Sequence, residues 1–172
     1  MTPWELAKSG TEHAEQRAFF AWANCAELYG FLYAGDKRAY AMLTRDQLQF
    51  DGAFGMPRPV PALRWIHAVH NQGHGDAIRG ARARAEGVKP GVWDIFWPLP
   101  RNHFPVTGGG YCYRHGLYIE MKRSTRVNQD ALSPDQKEFL SFAIEAGYQM
   151  QVCFSWQEAA QTVERYYNNV AD

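Results

Sequence analysis

The order of patterns along the chain predicts an α/β fold, a central mixed β-sheet flanked by helices in the order α-β-β-β-α-β-α. Three observations carry this expectation. Apolar residues recur at helical spacing around 11–29, 133–146 and 156–167. Short β-like runs lie between them at 63–70, 92–97, 116–123 and 149–154. The chain has 172 residues, 46% of them hydrophobic and 15% aromatic, which suits one domain spanning 1–172 with its own core.

Each element has a local reason. In the first helix Phe19, Trp22, Ala23 and Ala26 fall at i, i+3, i+4 and i+7, one apolar stripe, and Gly30 is its stop. Residues 30–61 resist assignment. A short helix at 44–48 is followed by GAFGMPRPVP, and the length marks an insertion. LRWIHAVH (63–70) is β-like and leads through the turn NQGHG into a segment rich in Ala and Arg. VWDIFW (92–97) is a short buried strand, and 98–110 is a loop ending in three glycines. No Gly-Lys-Ser/Thr follows those glycines, so they form a flexible hairpin tip rather than a phosphate loop. GLYIEMKR lies in an alternating strand at 116–123. The helix at 133–146 puts Phe139, Leu140 and Ala143 on one face. The strand at 149–154 and the helix at 156–167 complete the set. No internal repeat is visible.

Eighteen Lys plus Arg balance eighteen Asp plus Glu, which excludes a uniformly basic nucleic-acid coat. The balance hides an asymmetry. Nine basic residues face three acids between 79 and 126, whereas six acids face two bases between 135 and 172. This pattern suits a polyanion met on one side only, and it also suits an ordinary solvated surface. No apolar run approaches the ~20 residues of a membrane span, so no membrane partner is expected. Cys25, Cys112 and Cys153 contain no CxxC pair, which argues against a zinc ribbon. Reduced thiols and a start without a signal-peptide pattern lead to an expected cytoplasmic location.

The chemistry centres on Glu120 and Lys122. Two apart on a strand, they project to one face, while Leu117, Ile119 and Met121 project to the other. Asp94 can meet Glu120 if the two strands are neighbours. Paired carboxylates repel unless a cation joins them, and hard divalent ions choose such oxygens. Glu-x-Lys also occurs as a plain surface salt bridge, but an acid inside Trp-Asp-Ile-Phe-Trp needs a reason. Glu12 and Glu15 both fall on the apolar face of the first helix, and either can complete a metal site. Each also has a local reading: Ser9-Gly-Thr-Glu12 can be a capping box, and Glu15 suits the positive end of the helix dipole. Gln136 points inward with Phe139. It also fits a capping box, Ser133-Pro-Asp-Gln136, and the two roles are compatible. His67 and His70 would point to opposite faces of a strand, so a zinc shared with His74 is not expected.

GVKPGVWDIFWPLP, HGLYIEMKR, LSPDQKEFL and AGYQMQVC, taken in order, resemble the virus-type replication-repair nuclease (VRR-NUC) family of the PD-(D/E)xK superfamily. The resemblance runs from the first helix to the last and fits least at 30–61. It implies a restriction-endonuclease-like core. By position it implies that Asp94, Glu120, Lys122 and Gln136 are catalytic. It also implies that Asp94, Glu120, the Met121 carbonyl and a helix-one acid bind one or two Mg2+ or Mn2+ ions. Glu12 matches that acid best, with Thr11 before it and Gln16 four residues on, and Glu15 is its competitor. Resemblance and charge together mark Arg79, Arg82, Arg84, Lys89 and Arg123 for DNA contact. Trp93 stands where the family has Pro. It is expected to alter how the strand begins or to place an aromatic near the substrate.

The function implied is a metal-dependent endonuclease acting on DNA, on branched or structured forms in phage replication, recombination or repair, in the cytoplasm of a bacterial host. A homodimer is the expected assembly, since two sites are needed to cut two strands. The competing expectations are a DNA-binding module of the same fold that does not cut, and an RNA-processing nuclease.

Overall fold

A computed structural model describes all residues except 44–53, 70–76, 106–110, 124–131 and 171–172. Helix α1 (Pro3–Leu6) precedes the long α2 (Glu12–Tyr29). The hydroxyl of Thr11 accepts the Ala14 N–H at 3.3 Å and so starts α2. Thr11 rather than Ser9 is therefore the N-cap of α2, and the Ser9 hydroxyl lies 3.2 Å from that of Thr11. The predicted stripe of Phe19, Trp22, Ala23 and Ala26 is fully buried. Gly30 ends α2 at φ 91°, and a Cβ there would lie 2.3 Å from the Arg58 carbonyl oxygen. Gly30→Ala is therefore expected to destabilise the fold by about 1–3 kcal/mol, read from denaturant unfolding.

Four strands form the main sheet: β1 (His67–Ala68), β2 (Ile95–Trp97), β5 (Leu117–Met121) and β6 (Gln149–Cys153), in spatial order β1-β2-β5-β6. The first two pairings are antiparallel and β5–β6 is parallel. A parallel pair needs a crossover, and α6 (Pro134–Glu145) supplies it. Ile95, Trp97, Leu117, Ile119 and Met121 are fully buried on one face, in a core shared with α2 and α7 (Trp156–Tyr167). The opposite face carries Phe96 stacked on Tyr118, with centroids 4.4 Å apart, and Phe139 of α6 packs edge-on against Tyr118. The molecule is thus a mixed sheet with helices on both faces, as the sequence patterns anticipate.

Three segments differ from the sequence reading. Residues 61–65 form a 3₁₀ turn, which shortens the strand expected at 63–70 to two residues. The cause is spacing: Leu63 and Ile66, three apart, are buried while Trp65 is exposed, a period of three rather than two. The expected insertion contains α3 (Phe31–Gly35) and α4 (Lys37–Leu43), which bury Tyr33, Ala34, Ala39 and Tyr40. The Asp36 carboxylate accepts the Arg38 and Ala39 N–H groups at 2.9 and 2.8 Å, a start signal for α4 that the sequence does carry. The third difference is in the expected loop at 98–110, where β3 (Arg101–Pro105) pairs antiparallel with β4 (Tyr111–Arg114). The glycines at 108–110, the helix expected at 44–48, the turn NQGHG, and His70 and His74 lie outside the described residues. The Ala/Arg-rich segment is α5 (Ala77–Ala85). No described helix is long and apolar enough to cross a membrane.

Candidate active site

Strand register brings the two central acids together. Ile95 pairs with Ile119, so Asp94, one step before β2, stands across from Glu120. The Asp94 carboxylate accepts the Met121 N–H at 3.0 Å, which ties it to β5. Glu120 is 1% exposed. Its Oε1 accepts from the Lys122 ammonium at 2.8 Å and from the side-chain amide of Gln136. Its Oε2 is buried and has no hydrogen-bond partner among the described residues. Burial, and then the neighbouring Asp94 charge, push the Glu120 carboxyl up to about 7, while the Lys122 contact opposes them.

Lys122 lies just past β5, yet its N–H still bonds the Cys153 carbonyl at 2.9 Å. That bond extends the strand's alternation by one residue, so Lys122 keeps to the side of Glu120. Gln136 arrives from α6. The Ser133 hydroxyl accepts the Gln136 N–H at 3.2 Å, and Gln136 Oε1 accepts the Ser133 N–H at 2.9 Å, a complete capping box. The same Oε1 accepts from Lys122 at 3.4 Å. The cap and the inward contact expected of Gln136 therefore coexist.

The helix-one acids part company. Glu12 is exposed and lines a cleft of about 610 Å³ together with Asp94, Glu120, Lys122 and Gln136. Glu15 is 3% exposed, and its carboxylate accepts the Trp156 N–H at 2.9 Å. It serves the start of α7, where unpaired backbone donors and the helix dipole favour an acid. His13 and Gln16 also line the cleft. The sequence reading passes over His13, whose only signal is its place beside Glu12 on the helix.

Arg82, Arg84 and Lys89 are exposed, and the segment that follows α5 leads past Lys89 to Pro90 and Gly91, which line the cleft. Arg79 lies on the same helix. Arg123 is exposed immediately after Lys122. Trp93 does not present an aromatic to the cleft: it is 1% exposed, and its indole N–H donates to the Gln136 carbonyl at 3.3 Å. A second, larger groove of about 690 Å³ is bordered by Tyr29, Phe31, Met56 and Tyr167 and contains no carboxylate among its lining residues.

No family model matches the sequence, and no curated protein matches it. Among solved structures the chain is similar to one described as "VRR_NUC domain protein". The TM-score is 0.45 and the identity 21%, over 77% of this chain and 85% of that one. At this distance the likeness gives no residue a role, and the geometry of the cleft has to do so.

No group of three His, Cys, Asp or Glu side chains among the described residues stands ready to hold a metal ion. The donors present nonetheless suit a hard divalent ion. Mg2+ keeps several waters and needs only one or two carboxylates from the protein. The buried, partnerless Glu120 Oε2 beside Asp94 is the kind of oxygen such an ion satisfies.

Proposed function

We propose that the chain is a divalent-metal-dependent endonuclease that hydrolyses phosphodiester bonds of DNA. The observation that carries this reading is the Glu120 carboxylate: buried, set against Asp94, with one oxygen that has no hydrogen-bond partner among the described residues. Lys122 and Gln136 satisfy one oxygen of this carboxylate, but burying the other without a partner beside a second acid is costly, and a site that keeps it needs a use for it. Asp94, Glu120, the Met121 carbonyl and Glu12 are the groups that would hold one or two Mg2+ or Mn2+ ions. A bound ion would polarise a phosphate oxygen and acidify a water. Lys122, held between Glu120 and Gln136, fixes an ammonium where it orients the attacking water or meets the charge that develops on the phosphoryl group. Gln136 restrains both partners. The exposed Arg82, Arg84 and Lys89, with Arg79 on the same helix and Arg123 beyond Lys122, would track the DNA backbone.

Structured or branched DNA is the proposed substrate, in phage replication, recombination or repair. We propose a homodimer as the cutting assembly and the cytoplasm of a bacterial host as its setting. The test uses branched, flapped and linear DNA, with RNA in parallel, each with and without Mg2+ or Mn2+. Metal-dependent DNA cutting that Lys122→Ala and Asp94→Ala both abolish is expected. Cutting that survives in both variants would mark a contaminant. Tight DNA binding without cutting in any metal would establish a binding module instead, and preferential cutting of RNA would reassign the substrate.

A further inference from the structure

The segment from Gly91 to Asp94 touches the cleft at both ends. Asp94 faces Glu120. Gly91, at φ 82°, lies so close to α6 that a Cβ would stand 2.4 Å from the backbone carbonyl of Asp135. No residue with a side chain fits there without moving the first turn of that helix. Between these two, Trp93 is 1% exposed, yet it lies outside the core cluster that holds Trp22 and Trp97. Its indole N–H reaches the carbonyl of Gln136 at 3.3 Å. The Gln136 side chain then bridges Glu120 and Lys122.

We infer that Trp93, seated by Gly91, is a positioning residue: it ties the first turn of α6 to the segment bearing Asp94, and so sets where Gln136 meets Glu120 and Lys122. A buried indole needs a hydrogen-bond partner, and here the partner is the backbone of the residue whose side chain enters the cleft. The consequence for cleavage rests on the nuclease reading above, whereas the tie itself does not.

Two measurements separate them. Trp93→Phe keeps an aromatic ring and removes the N–H. An isosteric benzothienylalanine at position 93 does the same with less change of shape, should Trp93→Phe fold poorly. In either variant, amide hydrogen exchange in the first turn of α6 is expected to accelerate about tenfold or more, with the last turn unchanged. Unchanged exchange in the first turn overturns the tie whatever the activity. For cleavage, kcat is expected to fall on the order of ten- to a hundredfold at unchanged KM for DNA, the scale on which small misplacements count. Gln136→Ala is expected to lose a similar factor, and the double variant no more than either single one. Faster exchange with full kcat, or losses that multiply, overturns the positioning role. A wild-type chain inert on every nucleic acid sinks the nuclease reading, and the exchange result then still decides the tie.

Discussion

Glu120→Gln is expected to abolish metal-dependent cleavage, by on the order of a thousandfold or more, while raising the thermal midpoint of the metal-free protein at pH 8. The two effects share a cause. Burial and the Asp94 charge push the Glu120 carboxyl up to about 7, so the folded state holds a proton more tightly than the unfolded chain does. The stability contribution of such a group is fully present below its unfolded value, near 4.5, and is lost as the pH rises through about 7. Glutamine imitates the protonated form at every pH. At pH 8 the variant should therefore melt a few degrees above wild type, and near pH 4 the difference should vanish. Mg2+ or Mn2+ should raise the wild-type midpoint at pH 8 and leave that of the variant nearly unmoved. Scanning fluorimetry over pH, with and without the ions, reads all of this. A variant that melts below wild type at pH 8 would show that the Lys122 contact outweighs burial and repulsion, and the electrostatic account of the cleft would fail.

The second large effect separates two acids three residues apart. The Glu15 carboxylate is buried on the Trp156 N–H. Glu15→Ala removes a charge-assisted bond and leaves a buried donor unsatisfied, at a cost of about 2–3 kcal/mol. In a chain of this size that is a fall of roughly 5–10 °C in melting temperature. Glu12 is exposed at the cleft, so Glu12→Gln should leave the melting temperature within about 1 °C. It should instead weaken Mn2+ binding by about tenfold or more, read by titration calorimetry. If Glu12→Gln binds Mn2+ normally and a folded Glu15→Gln does not, the helix-one ligand is Glu15.

The same pair shows where the sequence is legible and where it is not. Helical periodicity puts Glu12 and Glu15 on one face of α2, and nothing local divides them. The division comes from Trp156, 141 residues away in the chain, whose N–H Glu15 captures. Contacts of that separation leave no mark in local patterning. Period-two alternation, by contrast, is a local property. It orients Glu120 against Ile119 and Met121 in β5, and the structure keeps that orientation. The Ser133 capping box is equally local and forms as read. Of the segments that differ, α4 carries such a signal in Asp36, and the other two lack one. The arms of the β3–β4 ribbon carry no clean alternation, and the 3₁₀ turn at 61–65 looks like the start of a strand because apolar Leu63 and Trp65 alternate about Arg64. Trp93 was legible as a departure but not in its contact, since only the packing of α6 supplies the Gln136 carbonyl.

Gln136 closes a helix cap with one end of its amide and reaches Glu120 with the other. A cap of this type accepts either glutamine or glutamate three residues after the serine. Glutamate would complete the cap equally well, but it would bring another anion against Glu120 and cannot donate to it. Of the two residues that complete the capping box, only the neutral one serves the cleft, so the box and the acidic pocket together leave position 136 a single occupant that meets both.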